Sequence, residues 1–128
     1  MSYYFSKKLD ASFEDAEKRV TEELQKEGFG ILTEIDVKAT LKKKLDVDFR
    51  PYKILGACKP PMAHQALQAE EHIGLMLPCN VLVQDAGEGK IEVAAVDPMA
   101  SMQAIDNPAL ADVAGEVRKQ LEAVIARL

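Results

Sequence analysis

Apolar positions recur along this chain with two alternating periods, every second residue and every third or fourth, and the switches between them mark out a series of strands and helices. Tyr3, Phe5 and, less regularly, Leu9 alternate with polar neighbours, which predicts a short half-buried strand. Ser12 then caps a helix with Asp15 at the capping-box position, and Phe13, Ala16, Val20 and Leu24 run along one stripe of it until Gly28 stops it. Phe29, Ile31, Thr33 and Ile35 restore the period of two and predict a strand over 29–35. Asp36 caps a second helix in which Val37, Leu41 and Leu45 face inward while Lys42, Lys43 and Lys44 face water.

Residues 52–58 form the next predicted strand, apolar on both faces and therefore central, with Tyr52, Ile54, Gly56 and Cys58 on one side and Leu55 and Ala57 on the other. Pro60 and Pro61 start a helix where no backbone donor is lost, and its phase turns Met62, Ala63, Ala66 and Leu67 to one face and His64, Gln68 and Glu71 to the other. After Gly74 an apolar run leads into a strand reaching Gln84, a hairpin loop over 85–89 and a return strand over 91–96. Asp97-Pro98 opens a short helix and Asn107-Pro108 a long one, in which Leu110, Val113, Val117, Leu121, Val124 and Leu128 recur at spacings of three and four. The order predicts a two-layer α+β fold: one mixed, mostly antiparallel sheet of about five strands, helices packed on it, and a long C-terminal helix.

Composition narrows the function classes. A chain of 128 residues is the length of a single domain, 1–128, with enough apolar side chains to build a core without disulfides or metals. Its net charge of −5 disfavours nucleic acid, because the one dense basic run, Lys42 to Lys44, reads as a solvated helix face. No run is long and apolar enough for a membrane span, and the first eight residues lack the apolar core of a signal segment, so a cytoplasmic location is expected.

The candidate chemistry lies in Cys58, His64, Cys79 and Asp97, with Met62 and Pro60 as candidate pocket residues. Cys58 precedes a helix start and sits beside Lys59, two influences that favour a thiolate, whereas packing beside Tyr52 and Ile54 opposes them. His64 falls on the outward side of its helix, so Cys58, Met62 and His64 are close in sequence without converging, and no metal set follows from their spacing. If the helix after Cys58 were a parallel crossover, Cys58 and Cys79 would lie at opposite strand ends, about 20 Å apart and beyond disulfide reach; only a return of the chain through Leu75 to Pro78 brings them together. In the hairpin, one register sets Cys79 opposite Val96 and a shift of one residue sets it opposite Asp97, whose plainer role is to cap the following helix. Met76, Met99 and Met102 can line an adaptable apolar pocket with Met62 or simply fill the core. No nucleophile elbow or phosphate-cradling glycine loop is present.

The run Tyr-Lys-Ile-Leu-Gly-Ala-Cys-Lys-Pro-Pro-Met-Ala-His-Gln-Ala-Leu at 52–67, with Leu-Pro-Cys at 77–79, Gly28-Phe29-Gly30 and Asp97-Pro98, resembles the domain-of-unknown-function family 302 over essentially the whole chain. Lys59 departs from the asparagine expected before the proline. The resemblance implies a bacterial or archaeal domain, found alone or joined to others, and brings no established activity with it. The leading expectation is a non-enzymatic homo-oligomer, a dimer, that needs no cofactor and binds a small apolar or sulfur-containing ligand. The alternative is a thiol-dependent or metal-binding protein acting through Cys58.

Overall fold

The computed structural model describes residues 2–128; Met1, which opens the stretch read for a signal segment, lies outside them. The strands are β1 (Tyr4–Leu9), β2 (Gly30–Asp36), β3 (Tyr52–Cys58), β4 (Cys79–Gly87) and β5 (Lys90–Val96). The helices are α1 (Phe13–Lys26), α2 (Val37–Leu45), α3 (Pro60–Ala69), α4 (Pro98–Ser101) and α5 (Pro108–Ala126), with a 3₁₀ helix at Glu71–Met76. The five strands form one sheet in the order β1-β5-β4-β3-β2, and every adjacent pair is antiparallel.

Local chemistry fixes the joints. Ser12 accepts from the Asp15 amide at the start of α1, and at its end Gly28, at φ +87°, lets its own amide bond the Gln25 carbonyl while the Phe29 amide bonds that of Leu24. This is the Schellman arrangement, and its apolar contact is supplied by Leu24 and Phe29, both buried. The β4–β5 hairpin turns at Glu88 and Gly89, both at positive φ, the primed turn that matches strand twist. A bulge between Asp85 and Gly87 carries β4 further into the expected loop than the residue pattern suggests.

Face assignment follows from register. Leu55 and Ala57 of β3, Cys79, Val81 and Val83 of β4, Ile91, Val93 and Ala95 of β5, and Phe5 and Leu9 of β1 share the face covered by α1 and α5. The apolar stripe of α5 is consumed here: Val117, Leu121, Val124, Ile125 and Leu128 are buried in the main core. Lys7 emerges at the edge of this face, where its ammonium binds the Ala126 and Leu128 carbonyls at the end of α5.

One open alternative is decided and one expectation is corrected. The helix after β3 is no parallel crossover: α3, the 3₁₀ helix and Leu77-Pro78 carry the chain back, so β4 returns antiparallel to β3 with Ala57 opposite Cys79. In α2 the predicted inward stripe stays outside the core, since no residue of the helix is buried and Leu45 is 66% exposed. The reason lies in its anchor, because β2 is an edge strand whose residues are mostly exposed and offers little surface to pack on.

Candidate functional site

The main core and a smaller cluster meet imperfectly. Ala66, Ile73 and Leu110 form the second cluster with Leu77, Met102 and Val113 around them, joining α3, the 3₁₀ helix and the start of α5. Along the seam lies a cavity of about 270 Å³, close to the lower bound of ordinary small-ligand sites. Its floor is the strand-end pair Ala57-Cys58 and Leu77-Pro78-Cys79, and its walls come from α3 (Met62, Ala63, Ala66, Leu67), α4 with Met102 just after it, α5 (Val113, Ala114, Val117) and Phe29 with Leu32 at β2. Leu32 and Leu67, respectively 67% and 47% exposed, stand at its rim. Small side chains create the space: Ala57, Ala63, Ala66 and Ala114 all border it, and none reaches across.

The antiparallel return brings the ends of β3 and β4, with Cys58 and Cys79, to one border of the cavity, although strand alternation turns Cys58 to the sheet face of Ile54 and Gly56 and Cys79 to the core face. Cys58, Cys79, Met62 and Met102 all line the cavity, which is the outcome of the return through Leu75 to Pro78 rather than of a parallel crossover, and both cysteines are free thiols. Cys58 is half-buried, and Cys79 is buried. Burial, reinforced by the nearby Cys58 group, pushes the Cys79 thiol up to about 11, which makes it a poor nucleophile at neutral pH.

The start of α3 offers less to an anion than a helix start usually does. Pro60 and Pro61 carry no N–H, and the Met62 amide is taken by the Lys59 carbonyl. Lys59 borders the cavity, and its ammonium nitrogen lies 5.9 Å from the Phe29 ring centroid. Among the described residues that line the cavity there is no histidine, aspartate or glutamate to pair with Cys58 as the general base that a catalytic thiol ordinarily has.

The remaining predicted residues fall elsewhere. His64 is exposed on the outer side of α3, as its helical phase implies, and Pro60 is exposed too, off the cavity wall, which corrects its assignment to the pocket. Continuing the Val81–Ala95 register by two residues sets Asp97 opposite Cys79, yet the carboxylate is engaged on both oxygens. One accepts from the Met99 amide at 3.0 Å, capping α4, and the other from Arg118 of α5 at 3.1 Å, with the guanidinium stacked 5.2 Å from the Phe5 ring centroid. Asp97 is thus a buried clamp between the sheet, α4 and α5. Met99 and Met76 are exposed and take no part in the wall. Phe29, Val113, Ala114 and Val117, which do, carry no sequence signal beyond their apolar phase.

Gly56 explains the glycine in the β3 joint. A methyl group there would meet the Thr33 hydroxyl and lie 2.6 Å from Pro78 Cγ, so only glycine lets Pro78 fold down beside Cys79.

These features define an antiparallel α+β domain with one apolar, sulfur-lined cavity at the open ends of its central strands. The family model described as Domain of unknown function DUF302 matches residues 5–128, and the chain belongs to that family. It is also similar to the crystal structure of an uncharacterized conserved protein DUF302 from Bacillus stearothermophilus, at 27% identity and a TM-score of 0.91 over 99% of this chain and 98% of that one. None of the curated proteins matches the chain. No helix among the described residues is long and apolar enough to cross a membrane.

Proposed function

We propose that this chain is a non-enzymatic binding protein that takes a small apolar or sulfur-containing molecule into the cavity between α3, α5 and the ends of β3 and β4. The observation that carries this reading is the cavity itself, about 270 Å³ of space bordered by apolar and sulfur-bearing side chains, with Lys59 the one charged residue on its wall. Thioether and thiol groups are polarizable and adapt to ligand shape, which suits a soft apolar guest better than a hydrogen-bonding one.

Self-association goes with this proposal, through a different surface from α5. Register places Ala94, Leu82, Ile54 and Ile35 in one row on the sheet face opposite α1 and α5, and Tyr4 and Val96 lie in the next row. A second copy laid on this face would bury the row, Ile35 included, which is 48% exposed in the single chain. Sedimentation equilibrium gives a dimer on this reading, and a monomer at every concentration removes it. A reducing, cytoplasmic setting fits the two free thiols.

The binding test uses thioanisole, an apolar thioether, with toluene as the sulfur-free comparison. Saturating thioanisole at about 100 times Kd should add about 2.7 kcal/mol to unfolding stability, and Ala114→Leu, which fills the cavity from α5, should abolish the gain. No gain from either probe in the wild-type protein refutes the cavity as a binding site.

A further inference from the structure

We propose that the cavity takes a small apolar acid, its carboxylate held by Lys59 at the rim and its apolar body seated between α3 and α5. The inference rests on reading the cavity as a ligand site and adds the head group that the wall favours. Lys59 follows β3, and its side chain reaches from there to the joint between α1 and β2. Its Cε lies 3.4 Å and its Nζ 3.8 Å from the point where a Cβ on Gly28 would stand, and its Nζ is 5.9 Å from the Phe29 ring centroid. Phe29 itself borders the cavity, so the ammonium stands at the cavity's edge.

This cation lacks a counter-charge. Among the described residues no carboxylate pairs with Lys59, and no aspartate or glutamate lines the cavity to repel an anion. Lys53 of β3 shows the contrast, with Glu17 and Glu34 at 3.1 and 2.7 Å from its ammonium. A half-buried ammonium among apolar groups is less hydrated than one on an open surface and attracts an anion more strongly.

The donors also say which anion. A phosphate group is ordinarily held by several donors at once, arginines or the free amides of a helix start. Among the described residues no arginine lines the cavity, Pro60 and Pro61 have no N–H, and the Met62 amide is engaged by the Lys59 carbonyl. One lysine brings one compact positive charge, which matches a single carboxylate. The rest of the wall is apolar or sulfur-bearing, and a volume of about 270 Å³ limits the body to one ring or a short chain.

The test compares two probes built on one body. (Phenylthio)acetate is thioanisole with a carboxylate on its methyl carbon, and (phenylthio)acetamide is its uncharged counterpart. By calorimetric titration at about pH 7, where the acid and Lys59 are both charged, the acid should bind the wild-type chain about 10-fold more tightly than the amide. K59Q should erase that gap and leave thioanisole affinity within about 2-fold, whereas K59R should keep it. Equal affinity for acid and amide in the wild type, or a gap that survives K59Q, overturns the inference. Where K59Q is unfolded by circular dichroism, amide NMR of the wild type decides instead: shifts at Gly28, Phe29 and Lys59 caused by the acid and not by the amide support the site, and their absence refutes it. Thioanisole binding with no preference for the acid removes the head group and leaves the cavity reading intact, whereas no uptake of thioanisole, toluene or either of the two probes removes that reading as well.

Discussion

Alkaline pH should destabilise this protein through Cys79 in particular. Burial holds its thiol at about 11 in the folded chain against an ordinary value of 9.0. Below about pH 8 both folded and unfolded chains keep the proton, and the residue contributes no pH dependence. Between 9 and 11 the unfolded chain releases a proton that the folded chain retains, so stability falls as pH rises. Two units at 1.36 kcal/mol each set the loss at about 2 to 3 kcal/mol once the pH exceeds 11. Lysines and tyrosines titrate in the same range, so the quantity to measure is a difference: urea unfolding of wild type and Cys79→Ala at pH 7, 9, 10 and 11. The gap between the two should change by about 2 kcal/mol in favour of the variant across that range. Parallel curves would mean that the thiol ionises in the fold as freely as in the unfolded chain, and the buried placement of Cys79 would be wrong.

Gly56→Ala should cost about 1 to 3 kcal/mol by denaturant unfolding because Thr33 and Pro78 must move, whereas Gly30→Ala, with open space around it, should change stability by less than about 0.5 kcal/mol beyond the effect of the backbone. Asp97→Ala removes the α4 cap and the Arg118 partner, for a loss of about 2 kcal/mol, of which Asp97→Asn should recover part because an amide oxygen still caps. Leu121→Ala, deep in the core, should cost about 2 to 5 kcal/mol, and Leu45→Ser on the exposed face of α2 within about 0.5. The two thiols should differ in alkylation rate at neutral pH, Cys58 reacting first, as measured by mass spectrometry of partially labelled protein; equal rates would place Cys79 nearer solvent than its burial allows.

Much of this fold is legible in its punctuation. Ser12, Gly28, Asp36, Pro60, Asp97 and Asn107 each stand where a helix begins or ends, since capping depends on a side chain and its nearest amides. The direction of β4 is not legible in the same way. It depends on the 3₁₀ helix and on Pro78 seating beside Gly56, a contact between residues that no local pattern links. That single reversal brings Cys79 to Cys58, so the candidate site was visible only as its separate residues. The phase of α3 placed Met62 and His64 correctly, but the same arithmetic cannot show that α2 would sit on an edge strand with little to cover.

The central claim is that the seam between the two clusters is a binding site. Amide NMR of the reduced protein titrated with thioanisole tests it most directly. Shifts should concentrate on Ala57, Cys58, Met62, Ala66, Cys79 and Ala114 and vanish in Ala114→Leu. Shifts confined to the opposite sheet face around Ile54 and Leu82, or none at saturating probe, would contradict it.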